Sequence, residues 1–191
     1  FAATLVMRPA GDPAAAALRS FIAALALADA LGDLCGPGVT IALKWPNDVL
    51  LNGGKVAGIL LESAGQGGQV SHLAIGIGVN LVGAPPVEAV EPGATRPVSV
   101  LGETGLRLTQ DEMLDHLAAA FARWEAQLVT YGFGPIRTAW LNRAARLGQT
   151  ITARTTAETI SGRFDSLAED GALVLQTESG RRTIPAADVF F

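Results

Sequence analysis

Lys44-Trp45-Pro46-Asn47-Asp48, followed by Lys55-Val56-Ala57-Gly58-Ile59-Leu60, sets two lysines, an asparagine and an aspartate around one tight hairpin inside otherwise apolar sequence. Charged side chains are rarely left in an apolar sheet without a partner. Two ammonium groups brought close together repel each other. The partner expected from the sequence is therefore an anion that arrives with a ligand, here a carboxylate and a phosphate.

The local structure follows from the residues on either side. Residues 39–44, Val-Thr-Ile-Ala-Leu-Lys, are β-branched and alternating, which suits a strand. Pro46 lacks an N–H and pushes Trp45 into an extended conformation, so regular pairing is expected to stop there. Asn47 and Asp48 are turn formers. Val49-Leu50-Leu51 resumes a strand, Asn52-Gly53-Gly54 is a hairpin turn signal, and residues 55–63 form the return strand. Gly58 inside that strand leaves a gap in the pleat, a mark of close approach by a ligand or another backbone. Alternation puts Val56, Gly58 and Leu60 on one face, and Lys55, Ala57 and Ile59 on the other. Lys55 and Gly58 share a pocket only if a twist or bulge intervenes near the turn.

Composition narrows the class. With 49% hydrophobic and 17% charged residues in 191, the chain reads as a globular protein with one good core, or one domain plus a small appendage. A net charge of −4 argues against a nucleic-acid or anionic-membrane surface, and no helix-turn-helix segment precedes the core. Cys35 is the only cysteine, so no internal disulfide forms, and its place beside Gly36-Pro37-Gly38 reads as an inert thiol. His72 and His116 do not make a metal or triad set. No run of about 20 apolar residues and no cleaved-signal pattern is evident. A cytoplasmic enzyme in a reducing compartment is the plain expectation. The chain opens on Phe1 already inside a strand pattern, which leads us to expect a further segment upstream.

Along the chain, Asp12-Pro13 is an N-cap and first helical residue, opening an alanine-rich helix to about Leu34. Residues 70–82 read as a strand carrying Gly76 and Gly78, with Asn80 near its end. Residues 83–97, rich in proline and glycine, read as a long loop of the kind that serves as a lid or binding loop. Thr109-Gln110-Asp111-Glu112 is a capping box opening a helix, and a second helix is expected at about 134–146. After Leu147-Gly148 the pattern changes to short strands at 150–154, 159–165, 172–176 and 182–184.

Lys44 to Asp48 joined to residues 55–62 resembles the signature of biotin–protein ligases, and the similarity runs along nearly the whole chain. The resemblance implies an α/β core with a mixed sheet like that of class II aminoacyl-tRNA synthetases, over residues 1–147. A small Src-homology-3-like β-barrel at 148–191 follows. It implies ATP and Mg²⁺ as co-substrate and cofactor, biotin as substrate, and a biotin carboxyl carrier protein as acceptor, and it allows a homodimer; that no nucleic acid or membrane is a partner is expected from the charge instead. Lys55 matches the lysine that bridges the biotin carboxylate and the phosphate. Lys44 and Asn47 match positions on the phosphate and ribose side, and Asn80 the asparagine at the adenine. Asp48 is a catalytic position that orients either Mg²⁺ or the incoming amine, and so the one metal candidate. Trp45, Gly58, Leu60 and Gly76 fall among the ligand-binding positions.

Two alternatives remain at this stage. A lipoate–protein ligase shares the fold and a related pattern, although Trp45-Pro46 and Ala57-Gly58-Ile59-Leu60 favour biotin. A truncated, non-catalytic biotin-binding module is the other. The family carries a glycine- and arginine-rich loop upstream of the strand matching residues 1–9, and the 191 residues alone are expected to bind biotin weakly without it.

Overall fold

Asn52 and Gly53 take φ values of 49° and 83°, both left-handed, as the two central positions of a type I′ hairpin require. They join β3 (Asp48–Leu51) to β4 (Gly54–Gln66) in the computed structural model, which describes residues 1–9 and 11–191. The Asn52 side chain also accepts the Thr40 N–H at 3.0 Å, tying the turn to the start of β2 (Ile41–Lys44). Between β2 and β3 the Trp45–Pro46 peptide is cis.

With β1 (Ala2–Met7) and β5 (Gln69–Val79) these strands form a five-stranded sheet in the order β1-β5-β4-β3-β2. Its strand pairings are antiparallel; among the described residues parallel pairing is confined to the isolated bridges Leu43–Ala144 and Lys55–Pro97. One face of the sheet carries Leu43, Val49, Ile59, Leu73, Ile75 and Ile77, all buried. Helices cover that face. The chain enters them through α1 (Pro13–Ala17), where the Asp12 carboxylate accepts the Ala15 N–H. In α2 (Arg19–Cys35), Ile22, Leu25, Leu27 and Leu31 have no exposed surface.

Within the Pro13–Cys35 stretch an 18-residue window has a mean hydropathy of 1.7, apolar and long enough to cross a membrane by composition. Here it packs between the sheet and α4 (Gln110–Tyr131), with 67% of its apolar window buried, which makes it a core helix. Cys35 at its end is half-buried, and desolvation pushes its thiol pKa up, as suits an inert thiol. The capping box of α4 is formed, Thr109 and Glu112 satisfying each other's backbone N–H.

A short helix α3 (Val100–Thr104), not foreseen from the sequence, follows the 83–97 segment. That segment holds one 3₁₀ turn, Val87–Ala89. Helix α5 (Phe133–Leu141) stops five residues short of the expected 146. Its continuation is recruited by the sheet edge: the Leu43 N–H donates to the Arg143 C=O and the Ala145 N–H to the Leu43 C=O, both at 2.8 Å.

The second sheet has the order β10-β6-β7-β8-β9, from β6 (Thr150–Arg154), β7 (Thr159–Leu167), β8 (Leu173–Thr177), β9 (Gly180–Ile184) and β10 (Asp188–Phe190). Ile151, Ala153, Phe164, Leu173, Leu175 and Val189 are among its buried residues, continuous with the main core. Among the long-range hydrogen bonds that dock it, Trp45 Nε1 donates to the Gly171 C=O at 3.0 Å, and Arg137 Nε to the Leu167 C=O at 2.6 Å. At Gly171, φ is 85° and a Cβ would stand 2.5 Å from the Phe21 ring, so only glycine fits that turn.

Candidate active site

The uncovered face of the main sheet carries a row of small and charged residues. Register places Lys44 opposite Asp48, Asp48 opposite Gly58, Gly58 opposite Gly78, and Gly78 opposite Ala2. Directly opposed residues share a face, so the row has two charged side chains at one end and a nearly bare backbone at the other. Lys55 joins it through a β-bulge. Between Val49 and Leu50 the β4 partner jumps from Ala57 to Lys55, leaving Val56 as an extra residue. The alternation problem is thereby resolved. A Cβ at Gly58 would stand 3.5 Å from Lys55 Cε and 3.7 Å from its Nζ.

The lysines do not wait for a ligand to supply their counter-ion. Asp48 bridges them, its Oδ1 lying 2.5 Å from Lys55 Nζ and its Oδ2 3.7 Å from Lys44 Nζ. Asp48 and Lys44 are buried, while the Lys55 side chain is 41% exposed. These three are the ionisable side chains on the wall of a cleft of about 1110 Å³, and two ammonium groups against one carboxylate leave a single positive charge there. An incoming anion therefore meets a surplus cation. Lys55 is the more accessible donor.

Burial lowers the Lys44 pKa, and repulsion from Lys55 adds to this; attraction from Asp48 opposes it. The sign has a kinetic consequence. Lys44 in the free protein loses its charge at a pH below the ordinary lysine range, so kcat/KM for an anionic substrate is expected to fall there. Lys44→Arg, which stays charged, should move that alkaline limb upward. A pH profile whose limb is unmoved by Lys44→Arg would assign the limb elsewhere.

The ring of Phe191 lies 5.6 Å from Lys44 Nζ and 5.2 Å from the Arg146 guanidinium, within cation–π range of both. The end of the second sheet thus reaches the charged end of the row.

The other residues singled out from the sequence divide into three groups. Gly58 and Asn80 line the cleft, Asn80 with its amide donating to the Val98 C=O at 3.0 Å. Leu60 and Gly76 oppose each other one row further along the same face, beside the cleft, with Leu60 63% exposed. Trp45 and Asn47 are spent on structure. The Trp45 indole is buried toward Gly171, and the Asn47 amide donates to the Ile59 C=O at 2.6 Å, closing the loop between β2 and β3. Neither lines the cleft, and their polar groups have partners within the fold.

The 83–97 segment, read from the sequence as a lid or binding loop with no contact residue named, supplies Val90, Ala94 and Thr95 to the wall; Thr109 and Gln110, from the start of α4, were not foreseen there. The capping box was legible, but its aim into the cleft is a tertiary fact. As a metal ligand Asp48 fits poorly, because both its oxygens face ammonium groups. Among the described residues no group of three His, Cys, Asp or Glu is placed to hold an ion. His72 accepts from Arg8 Nε, and His116 lies 3.8 Å from Asp33, both away from the cleft.

Residues 1–142 match the Biotin/lipoate A/B protein ligase family. The chain belongs to this family. Residues 147–191 match the biotin protein ligase C-terminal domain. The biotin–[acetyl-CoA-carboxylase] ligase of Paracoccus denitrificans is 64% identical over 191 residues, which are all of this chain and 80% of that protein. The bifunctional ligase/repressor BirA of Bacillus subtilis is 28% identical over 186 residues, 97% of this chain and 56% of that protein. Among solved structures, a biotin protein ligase from Aquifex aeolicus in complex with biotin and ATP superposes with a TM-score of 0.74 at 22% identity, covering 97% of this chain and 77% of that one. The apo form of the Aquifex enzyme gives 0.79 at 21% identity, covering 97% and 81%. At such identities the superpositions establish the shared fold, the α/β core and the small C-terminal sheet alike.

Proposed function

We propose that this chain is the ligase core that activates biotin with ATP to biotinyl-adenylate and transfers biotin to a lysine of a biotin carboxyl carrier protein. The observation that carries the proposal is the convergence of Lys44 and Lys55 on Asp48 beside the bare Gly58–Gly78 backbone. Activation needs a carboxylate and a phosphate to meet. A biotin carboxylate oxygen attacks the α-phosphorus, a new P–O bond forms, and the bond to the β-phosphate oxygen breaks to release pyrophosphate. Negative charge gathers on the five-coordinate phosphorus. A lysine about 4 Å away stabilises such charge by about 4 kcal/mol at an effective dielectric near 20, before desolvation costs.

In this assignment Lys55 exchanges its bond to Asp48 for contacts to the biotin carboxylate and the α-phosphate. Lys44 faces the phosphates, Asp48 orients both ammonium groups, and Asn80 reads the adenine edge, an amide being able to donate and accept at neighbouring ring positions. The glycines let the ligand approach the backbone of β4 and β5. Asp48, paired to two ammonium groups, would add little to holding Mg²⁺, so the ion would be held chiefly by the triphosphate oxygens and would offset their charge. In the second step the neutral amine of the acceptor lysine attacks the acyl carbon of the mixed anhydride; the amide bond forms, the C–O bond breaks, and AMP leaves as the nitrogen loses its proton.

The chain divides, on this proposal, into a catalytic core to about residue 147 and a C-terminal module from 148. Biotin is favoured over lipoate by the match of residues 147–191 to the biotin ligase C-terminal domain and by the 64% identity to a biotin ligase. A cytoplasmic setting agrees with one free cysteine and no disulfide. The test is exchange of labelled pyrophosphate into ATP by the intact protein, with biotin or lipoate as the acid. Exchange driven by biotin and not by lipoate is expected. Equal exchange with lipoate, or none with biotin, would overturn the assignment.

A further inference from the structure

Glu91 belongs to the segment that supplies Val90, Ala94 and Thr95 to the cleft wall, yet its carboxylate is held by the second sheet. Arg154, the last residue of β6, donates to both Glu91 oxygens, Nη1 to Oε1 and Nη2 to Oε2, the latter at 2.8 Å. Its Nη2 also donates to Asp188 of β10 at 2.9 Å, and its guanidinium lies 4.8 Å from the Phe190 ring centroid. A Cβ at Gly93 would stand 3.8 Å from the same ring. The guanidinium fork matches a carboxylate at two points, so the contact fixes orientation as well as distance. It is one node of a network, not an isolated surface pair. With a single 3₁₀ turn, the 83–97 segment has little internal structure to hold its course, so its contacts set where it lies.

We propose that Arg154 is a positioning residue for adenylation: by gripping Glu91 it holds the 90–95 wall of the cleft against the C-terminal sheet. This rests on the assignment of the cleft to biotin and ATP. Arg154 does not line the cleft and acts through the segment it holds; its other partner, Asp188, lies within electrostatic reach of Lys44. Loss of the grip lets the wall swing out, which weakens retention of a nucleotide more than of biotin alone.

The test is a double-mutant cycle in the intact protein with Arg154→Gln, Glu91→Gln and both together. Dissociation of biotinyl-adenylate, KM for ATP, affinity for biotin alone and melting temperature are measured for each. Each single variant is expected to release the adenylate about three- to ten-fold faster, with biotin affinity and melting temperature unchanged. The double variant should match Arg154→Gln, because that substitution already removes the Glu91 contact together with the one to Asp188. Single variants indistinguishable from wild type, multiplying effects in the double, or parallel losses of biotin affinity and melting temperature would each overturn the proposal. Absence of biotin-driven pyrophosphate exchange in the wild type would instead overturn the ligase assignment, and the positioning role with it.

Discussion

Lys55→Ala is expected to cut biotinyl-adenylate formation by at least about 10²- to 10³-fold while leaving the fold intact. The side chain is 41% exposed and lies on the open face of the sheet, so its removal opens no core cavity. What it removes is the surplus cation of the cleft. Lys44 and Asp48 then form a neutral pair, and the carboxylate and phosphate must approach each other with no uncompensated positive charge nearby. The loss should appear in kcat for pyrophosphate exchange, because the charge matters most where negative charge peaks. Lys55→Arg is not expected to rescue it fully: the ammonium is a point charge 2.5 Å from Asp48 beside the Gly58 backbone, and a planar fork is larger. Equal exchange rates for Lys55→Ala and wild type would remove Lys55 from the mechanism.

Gly58→Val tests the bare part of the row. The backbone of β4 accommodates a branched residue, which is a good strand former, so the melting temperature is expected to move little. A valine Cβ would meet Lys55 Cε at 3.5 Å and Asp48 Oδ1 at 3.8 Å, ordinary contact distances. Its methyl groups, however, extend into the space between Lys55 and Gly78, where the ligand must lie against the backbone. Biotin affinity should therefore fall by two orders of magnitude or more, roughly the effect of about 3 kcal/mol of overpacking. Titration calorimetry and thermal melting read the two quantities separately. A lowered melting temperature with biotin affinity retained would make Gly58 a structural glycine.

The hairpin that holds the site was legible because its signals are local. Pro46, Asn52-Gly53 and the β-branched runs each act within a few residues, and the strands and turn appear where those signals put them. The bulge at Val49/Leu50 was legible only as a need: alternation set Lys55 and Gly58 on opposite faces, but which residue slips depends on the pairing of β3 with β4. Trp45 shows the limit more sharply. A tryptophan in a ligand-binding motif reads as a ligand contact, yet its N–H is bound to Gly171, 126 positions away. Helix α5 ends early for a similar reason, since Leu43 captures the backbone of residues 143 and 145, and propensity carries no information about that edge. Asp48 as the counter-ion of both lysines was within reach of the sequence, four residues from one and seven from the other, but the ligand's anions were the more conspicuous partners.

The central claim is that the Lys44–Asp48–Gly58–Gly78 row, with Lys55, is where a carboxylate meets the α-phosphate. A crystal structure of the intact protein with a non-hydrolysable biotinyl-adenylate analogue tests it most directly. The analogue's phosphoryl mimic should lie about 3 Å from Lys55 Nζ, with the biotin chain over Gly58 and Gly78 and the adenine beside Asn80. The 2.5 Å contact between Lys55 and Asp48 should have lengthened as Lys55 turns to the ligand. An analogue bound away from the row, with the Lys55–Asp48 pair undisturbed, would contradict the account.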